Sequence, residues 1–190
     1  MNQKTAPIRI AVTGGPGAGK TALLEGLRGR GYPVVSEVAR EVIAGRKARG
    51  LSPRPPPAEF ARTVLDRDVQ QYDCAPADDV PTFFDRCVLD SMSMLAQLDQ
   101  LHPRDKSELL AQYPYYPTAF ILPPWREIYC TDTERDQDSD EAVSVHHALR
   151  DWYIGCGYNL VEGPGRRLMS AANSCCRRLS ERRNDDVLGV

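Results

Sequence analysis

No apolar run in this 190-residue chain approaches the roughly 20 residues needed to cross a bilayer. Its opening stretch, MNQKTAPIRIAVTGG, is interrupted by proline and glycine and holds no signal-type apolar segment. Basic excess is also missing. Lys and Arg number 24 against 26 Asp and Glu, a formal net charge of −2, which argues against a general nucleic-acid binder. Histidine is scarce, with 3 in the chain. None of the cysteines (Cys74, Cys87, Cys130, Cys156, Cys175 and Cys176) stands in C-x-x-C spacing, so a zinc site is not expected. The thiols read instead as small packing residues of a soluble, cytoplasmic protein. No Asn-Lys-x-Asp motif for reading guanine occurs, and there is no internal repeat. The length suits one domain over residues 1–190, large enough to bury a sizeable core.

What is present is concentrated first in Ile8 to Thr21, IRIAVTGGPGAGKT. Ile8, Ile10 and Val12 read as a short buried strand. Gly14, Gly15, Pro16, Gly17, Ala18, Gly19, Lys20 and Thr21 fit G-x-x-x-x-G-K-[ST], and ALLEGLRGRG continues with helical periodicity. The glycines let successive backbone N–H groups turn inward around a polyphosphate, where a Cβ would block both the turn and the approach of the oxygens. Lys20 supplies charge for the β- and γ-phosphates, and Thr21 a hydroxyl for Mg²⁺. The helix starting at Lys20 points its N-terminal dipole at the anion. The loop predicts nucleotide binding without saying what becomes of the γ-phosphate.

Two acids follow at expected strand ends. YPVV reads as a second strand that ends at Ser36-Glu37, ahead of a helix carrying Val38 and Val42. Ligands of open α/β sheets bind beyond the carboxyl ends of strands, so Glu37 and Arg40 are candidates for the cleft. Thr82, Phe83 and Phe84 read as a third strand with Asp85 at its tip and a helix through Val88, Met92, Leu95 and Leu98. An acid there suits a Mg²⁺ partner or a base beside the γ-phosphate, and helix capping is the competing reading. Arg86 is a candidate for holding a phosphate or pairing with Glu37.

Elsewhere the signals are less specific. LSPRPPPAE is a proline-rich connector before a helix over AEFARTVLDRDVQQYDCA, placed to cover a substrate or simply to pack. Tyr113, Tyr115 and Tyr116 form an aromatic, proline-bounded group. TAFIL and YNLVE read as fourth and fifth strands. Between them lies a polar segment, about residues 123–140, that reads either as a solvated charged loop or as a lid whose Arg126 and Arg135 close on a transferring phosphate. DEAVSVHHALRDWYIGCG reads as a helix with Val143, Ala148, Leu149 and Trp152 inward. A last helix ends near Arg183, leaving a frayed tail over residues 184–190.

GGPGAGKT, SEVAR, FFDRCVLD and PPWREIYCTDTERDQDSDEAV followed by GYNLVE, in that order and spacing, resemble the AAA-type P-loop NTPase family that includes the ribosylnicotinamide kinase domain of bacterial NAD regulators. The resemblance covers roughly Ile8 to Glu162. It implies a three-layer α/β fold of the nucleoside-kinase type, with a five-stranded parallel sheet binding ATP and Mg²⁺. It also implies Asp85 and Arg86 facing the γ-phosphate and a lid carrying Arg126 and Arg135. Family members commonly have glycine where this chain has Cys87, which implies a different turn after Arg86 or less room for a substrate.

The leading expectation is therefore an ATP-dependent phosphotransferase for a small hydroxyl-bearing molecule, with Glu37 or Asp85 orienting or deprotonating the acceptor. The alternatives are a nucleotide-operated ATPase or regulatory module, and a fold that binds nucleotide without turnover. Neither a nucleic-acid nor a membrane partner is expected.

Overall fold

A computed structural model describes residues 6–15, 17–53, 55–78, 80–124 and 136–188. Five parallel strands, β1 (Arg9–Gly14), β2 (Val34–Val35), β3 (Thr82–Asp85), β4 (Thr118–Leu122) and β5 (Asn159–Glu162), form one sheet in the order β2-β3-β1-β4-β5. β1 is central and buried along its whole length. That burial is why it reads as a continuous apolar run rather than an alternating one. It pairs with β3 from Arg9↔Thr82 to Val12↔Asp85, and with β4 from Val12↔Phe120 to Gly14↔Leu122. Asp85 is thereby set level with Val12, two residues short of the start of the glycine loop.

Helices cover both faces. On one side α1 (Lys20–Arg28) and the last helix, α7 (Gly165–Leu188), pack Leu23, Leu24, Leu27, Leu168 and Ala172 on Ile10, Val12, Phe83 and Phe120. The tail expected from residue 184 is helical through Leu188, past the point where the apolar repeat stops. On the other side lie α3 (Pro57–Cys74), α4 (Val88–Ala96), α5 (Pro103–Gln112) and α6 (Asp136–Gly155). Their core joins Tyr72, Val88, Leu89, Met92 and Tyr153 to Ala11, Phe84 and Ala119 of the sheet. Prolines at the first turns of α3 and α5 start those helices where their missing N–H is harmless. A third, small cluster of Val38, Val42 and Val64 joins α2 (Val38–Ala48) to α3.

Two further sequence expectations change. The helix α4 ends at Ala96, so Leu98 falls outside it and is 37% exposed. The inward stripe of α6 is Ala142, His146, Leu149 and Tyr153, while Ala148 faces solvent. The rule that apolar residues point inward misplaced that face because a histidine occupies one of its buried positions. Tyr113 and Tyr115 are packing residues, stacked edge-on against Tyr72, whose ring also carries the Arg9 guanidinium at 4.1 Å. Among the described residues no helix is long and apolar enough to cross a membrane.

Gly14 is the tightest point of the sheet. It has φ +139°, and a Cβ there would lie 2.6 Å from the Leu122 carbonyl oxygen, a backbone atom that cannot step aside. Gly31 has φ +86° but open space around it. In urea denaturation, Gly14→Ala is expected to lose at least ~2 kcal/mol by adding overpacking to backbone strain, and Gly31→Ala about 1 kcal/mol from strain alone.

Candidate functional site

The loop leaves β1 at Gly14 and enters α1 at Lys20, with Gly17 at φ 72° and Gly19 at φ 82°, conformations that glycine adopts without the Cβ penalty. Lys20 is buried, and its ammonium donates to the carbonyls of Gly14 at 2.9 Å and Gly15 at 3.1 Å. Burial lowers its pKa, and the nearby Arg86 charge lowers it further. The carboxylates of Asp85 and Glu37 act in the opposite sense.

Arg86 follows β3 in a left-handed conformation, φ 63°, which is strained for a residue with a side chain. Its backbone N–H donates to Val12 O at 2.9 Å, and its guanidinium donates to Gly14 O at 3.1 Å. Nε makes an ion pair with Glu37 at 3.1 Å. Glu37 stands just before α2, and its other oxygen pairs with Arg40 at 2.6 Å. Asp85 is largely buried with Oδ1 lacking a hydrogen-bond partner among the described residues, and burial raises its pKa while Lys20 opposes the rise. The capping alternative for Asp85 does not hold. The residue before α4 is Cys87, and Asp90 rather than Asp85 accepts its backbone N–H, at 3.0 Å.

Thr21, Ser36, Glu37, Arg40 and Asp85 line one cleft of about 360 Å³ between α1, β2 and α2. A hollow of about 240 Å³ between β4 and α7, lined by Tyr116, Phe120 and Cys175 among others, holds none of these groups. Among the described residues no three His, Cys, Asp or Glu side chains cluster as a metal cage. One carboxylate and one hydroxyl beside a phosphate loop instead match the way Mg²⁺ is held, by few protein ligands together with substrate oxygens. The unpartnered Asp85 oxygen fits such a cation.

Of the residues expected from the sequence, Gly14, Gly15, Gly17, Ala18, Gly19, Lys20 and Thr21 form the loop and its helix start, and Glu37, Arg40, Asp85 and Arg86 gather beside it. Pro16, Arg126 and Arg135 lie outside the described residues. Cys87 does not narrow the cleft. Its φ of −166° is ordinary extended backbone, and its side chain is buried in the core with Phe84 and Tyr153.

The AAA domain family model matches residues 9–167. The chain belongs to the AAA domain family. This AAA domain also shares its fold with solved kinases. A NadR protein in complex with NR aligns at TM-score 0.57 and 18% identity, over 84% of this chain and 46% of that one. Our chain therefore spans about half the length of that NadR protein. Deoxyadenosine kinase from M. mycoides aligns at TM-score 0.54 and 15% identity, over 88% of this chain and 100% of that one. Shikimate kinase from Aquifex aeolicus aligns at 0.50 and 16%, over 91% and 98%. None of the curated proteins matches the sequence.

Asp68 was missed by the sequence reading, although the signal was there. Ala61, Val64, Asp68 and Tyr72 form the buried stripe of the AAA domain's α3, and an acid interrupts it. Burial pushes the Asp68 pKa up to about 7; a hydrogen bond with Ser91 opposes the rise and the Asp90 charge adds to it. The fold therefore keeps a proton that the unfolded chain releases near 3.8. Stability falls as pH rises between these values, and the penalty is complete above about 7. Asp68→Asn is expected to raise the urea midpoint at pH 8, by of the order of a few kcal/mol in stability, with the difference vanishing toward pH 4.

Proposed function

We propose that this protein is an ATP-dependent phosphotransferase acting on a small hydroxyl-bearing molecule such as a nucleoside or vitamin-like compound. The observation that carries the reading is the buried carboxylate oxygen of Asp85, unpartnered among the described residues, on a residue that lines one cleft with Thr21 and Glu37 beside the glycine loop. The family and the fold shared with small-molecule kinases support it. The free thiols of Cys74, Cys87 and Cys156 support a reducing, cytoplasmic setting.

In this reading the backbone N–H groups of the loop glycines and Ala18, with the N-terminus of α1, hold the triphosphate, and Lys20 neutralises its terminal oxygens. Thr21 and Asp85 would hold Mg²⁺, which supplies charge neutralisation across the β- and γ-phosphates when bound. Glu37 accepts a hydrogen bond from the acceptor hydroxyl and takes its proton as the new O–P bond forms and the bond from the γ-phosphorus to the β–γ bridging oxygen breaks, that oxygen leaving with the electron pair on ADP. Its two arginine partners occupy only part of its acceptor capacity and fix its direction. Arg86 faces the transferring group. Because phosphoryl transfer depends on placement more than on proton removal, a carboxylate held by two guanidiniums is suited to the task. Arg126 and Arg135 belong to the proposed lid, where closure would add positive charge and exclude water.

Two variants test the assignments. Lys20→Ala is expected to weaken Mg·ATP binding roughly 10- to 100-fold in calorimetry. Asp85→Asn is expected to leave ATP binding within a few-fold and to lower turnover on the order of 10²-fold or more. Acceptor-dependent ADP release is to be screened over nucleosides and vitamin-like compounds. Tight Mg·ATP binding with slow, acceptor-independent hydrolysis throughout would overturn the kinase reading in favour of a nucleotide-operated ATPase or regulatory module.

A further inference from the structure

The turn that presents Arg86 is held from beneath by a buried carboxylate. Asp90, 3% exposed, accepts hydrogen bonds from three separate parts of the chain. Thr13 Oγ1 donates to its Oδ1 at 2.5 Å, from the residue before Gly14 in β1. The Cys87 backbone N–H donates to Oδ2 at 3.0 Å, and Tyr153 Oη donates to the same oxygen at 2.7 Å from α6. Next to Tyr153, Trp152 Nε1 donates to Leu89 O at 2.8 Å, so α6 grips the first turn of α4 at two successive residues. The same helix reaches the phosphate loop at its other end, where a Cβ on Gly15 would lie 3.6 Å from the Ala142 carbonyl.

A left-handed arginine persists only where its surroundings over-determine it. On its N-terminal side Arg86 is fixed by the bond from its own N–H to Val12 O; on its C-terminal side the fixing bond is the one from Cys87 N–H to Asp90. We propose that Asp90 is a positioning residue for Arg86. It locks the strained turn that aims the guanidinium at Gly14 O and Glu37, and through Thr13 and Tyr153 it keeps that aim in register with the phosphate loop and α6. Resting on the kinase reading, this assigns Asp90 and Tyr153 to the transfer step although neither touches the cleft.

The test combines kinetics with a readout that needs no acceptor. The Arg86 Nε–H resonance, assigned with Arg86→Lys, is followed by NMR in the full chain as wild type, Asp90→Asn, Asp90→Ala and Tyr153→Phe. The expected result is a shift of that resonance toward free arginine, largest for Asp90→Ala and smallest for Tyr153→Phe, with Mg·ATP affinity within threefold of wild type. With the best acceptor from the screen, kcat falls roughly 10- to 100-fold in Asp90→Asn at little change in the KM for ATP. Adding Asp90→Asn to Arg86→Ala causes no further loss, because both remove the same effect. An unmoved Arg86 resonance in folded Asp90→Asn and Tyr153→Phe would overturn the proposal, as would losses that multiply in the double variant. Absence of transfer by wild type would count against the kinase reading alone, since the resonance still decides the role of Asp90.

Discussion

The carbonyl oxygen of Gly14 is the point on which the site converges. Lys20 and Arg86, far apart in sequence, both donate to it, at 2.9 and 3.1 Å. Two cations against one oxygen repel, and the lowered pKa of Lys20 records that repulsion on top of its burial. The arrangement is sustained because Glu37 pairs with Arg86, because Asp85 and Glu37 lend Lys20 their charge, and because Gly14 is wedged against Leu122 with no room for a side chain. Positive charge held in this way, at the positive end of a helix, favours an anion.

The sheet explains why these groups meet. Parallel pairing places every strand's carboxyl end on the same edge, so Gly14, Asp85 and the residues following Val35 emerge together. Register then sets the depth. Asp85, opposite Val12, lies slightly below the loop and is largely buried, while Glu37 stands at the rim. Two carboxylates with the same chemistry therefore reach different situations, one desolvated with an unused oxygen and the other clasped between guanidiniums.

Much of this was legible from local pattern. Buried strands announce themselves as short apolar runs, the glycine loop is contiguous, and an acid at the end of an apolar run marks a cleft position. What escaped was carried by contacts between elements distant in the chain. Asp90 and Tyr153 are 63 residues apart, and Thr13 and Asp90 are 77 apart. No periodicity links a threonine in β1 to an acid in α4. His146 shows the same limit from another side. It is buried in α6, its Nε2 3.0 Å from Glu162, so a polar residue took an inward position that the pattern assigned to apolar neighbours. Asp68 was different, since its stripe was readable and the acid within it was the signal.

The small cluster of Val38, Val42 and Val64 gives the molecule a soft corner. Parting α2 from α3 uncovers only these three buried side chains and their few half-buried companions, whereas separating α1, α3, α4, α6 or α7 from the sheet breaks into one of the two large cores. Breathing of the native state is cheapest where the least apolar surface is exposed. Glu37 and Arg40 ride at the root of α2, so the rim of the cleft sits on a thinly packed wall, while the glycine loop rises from the deeply buried β1.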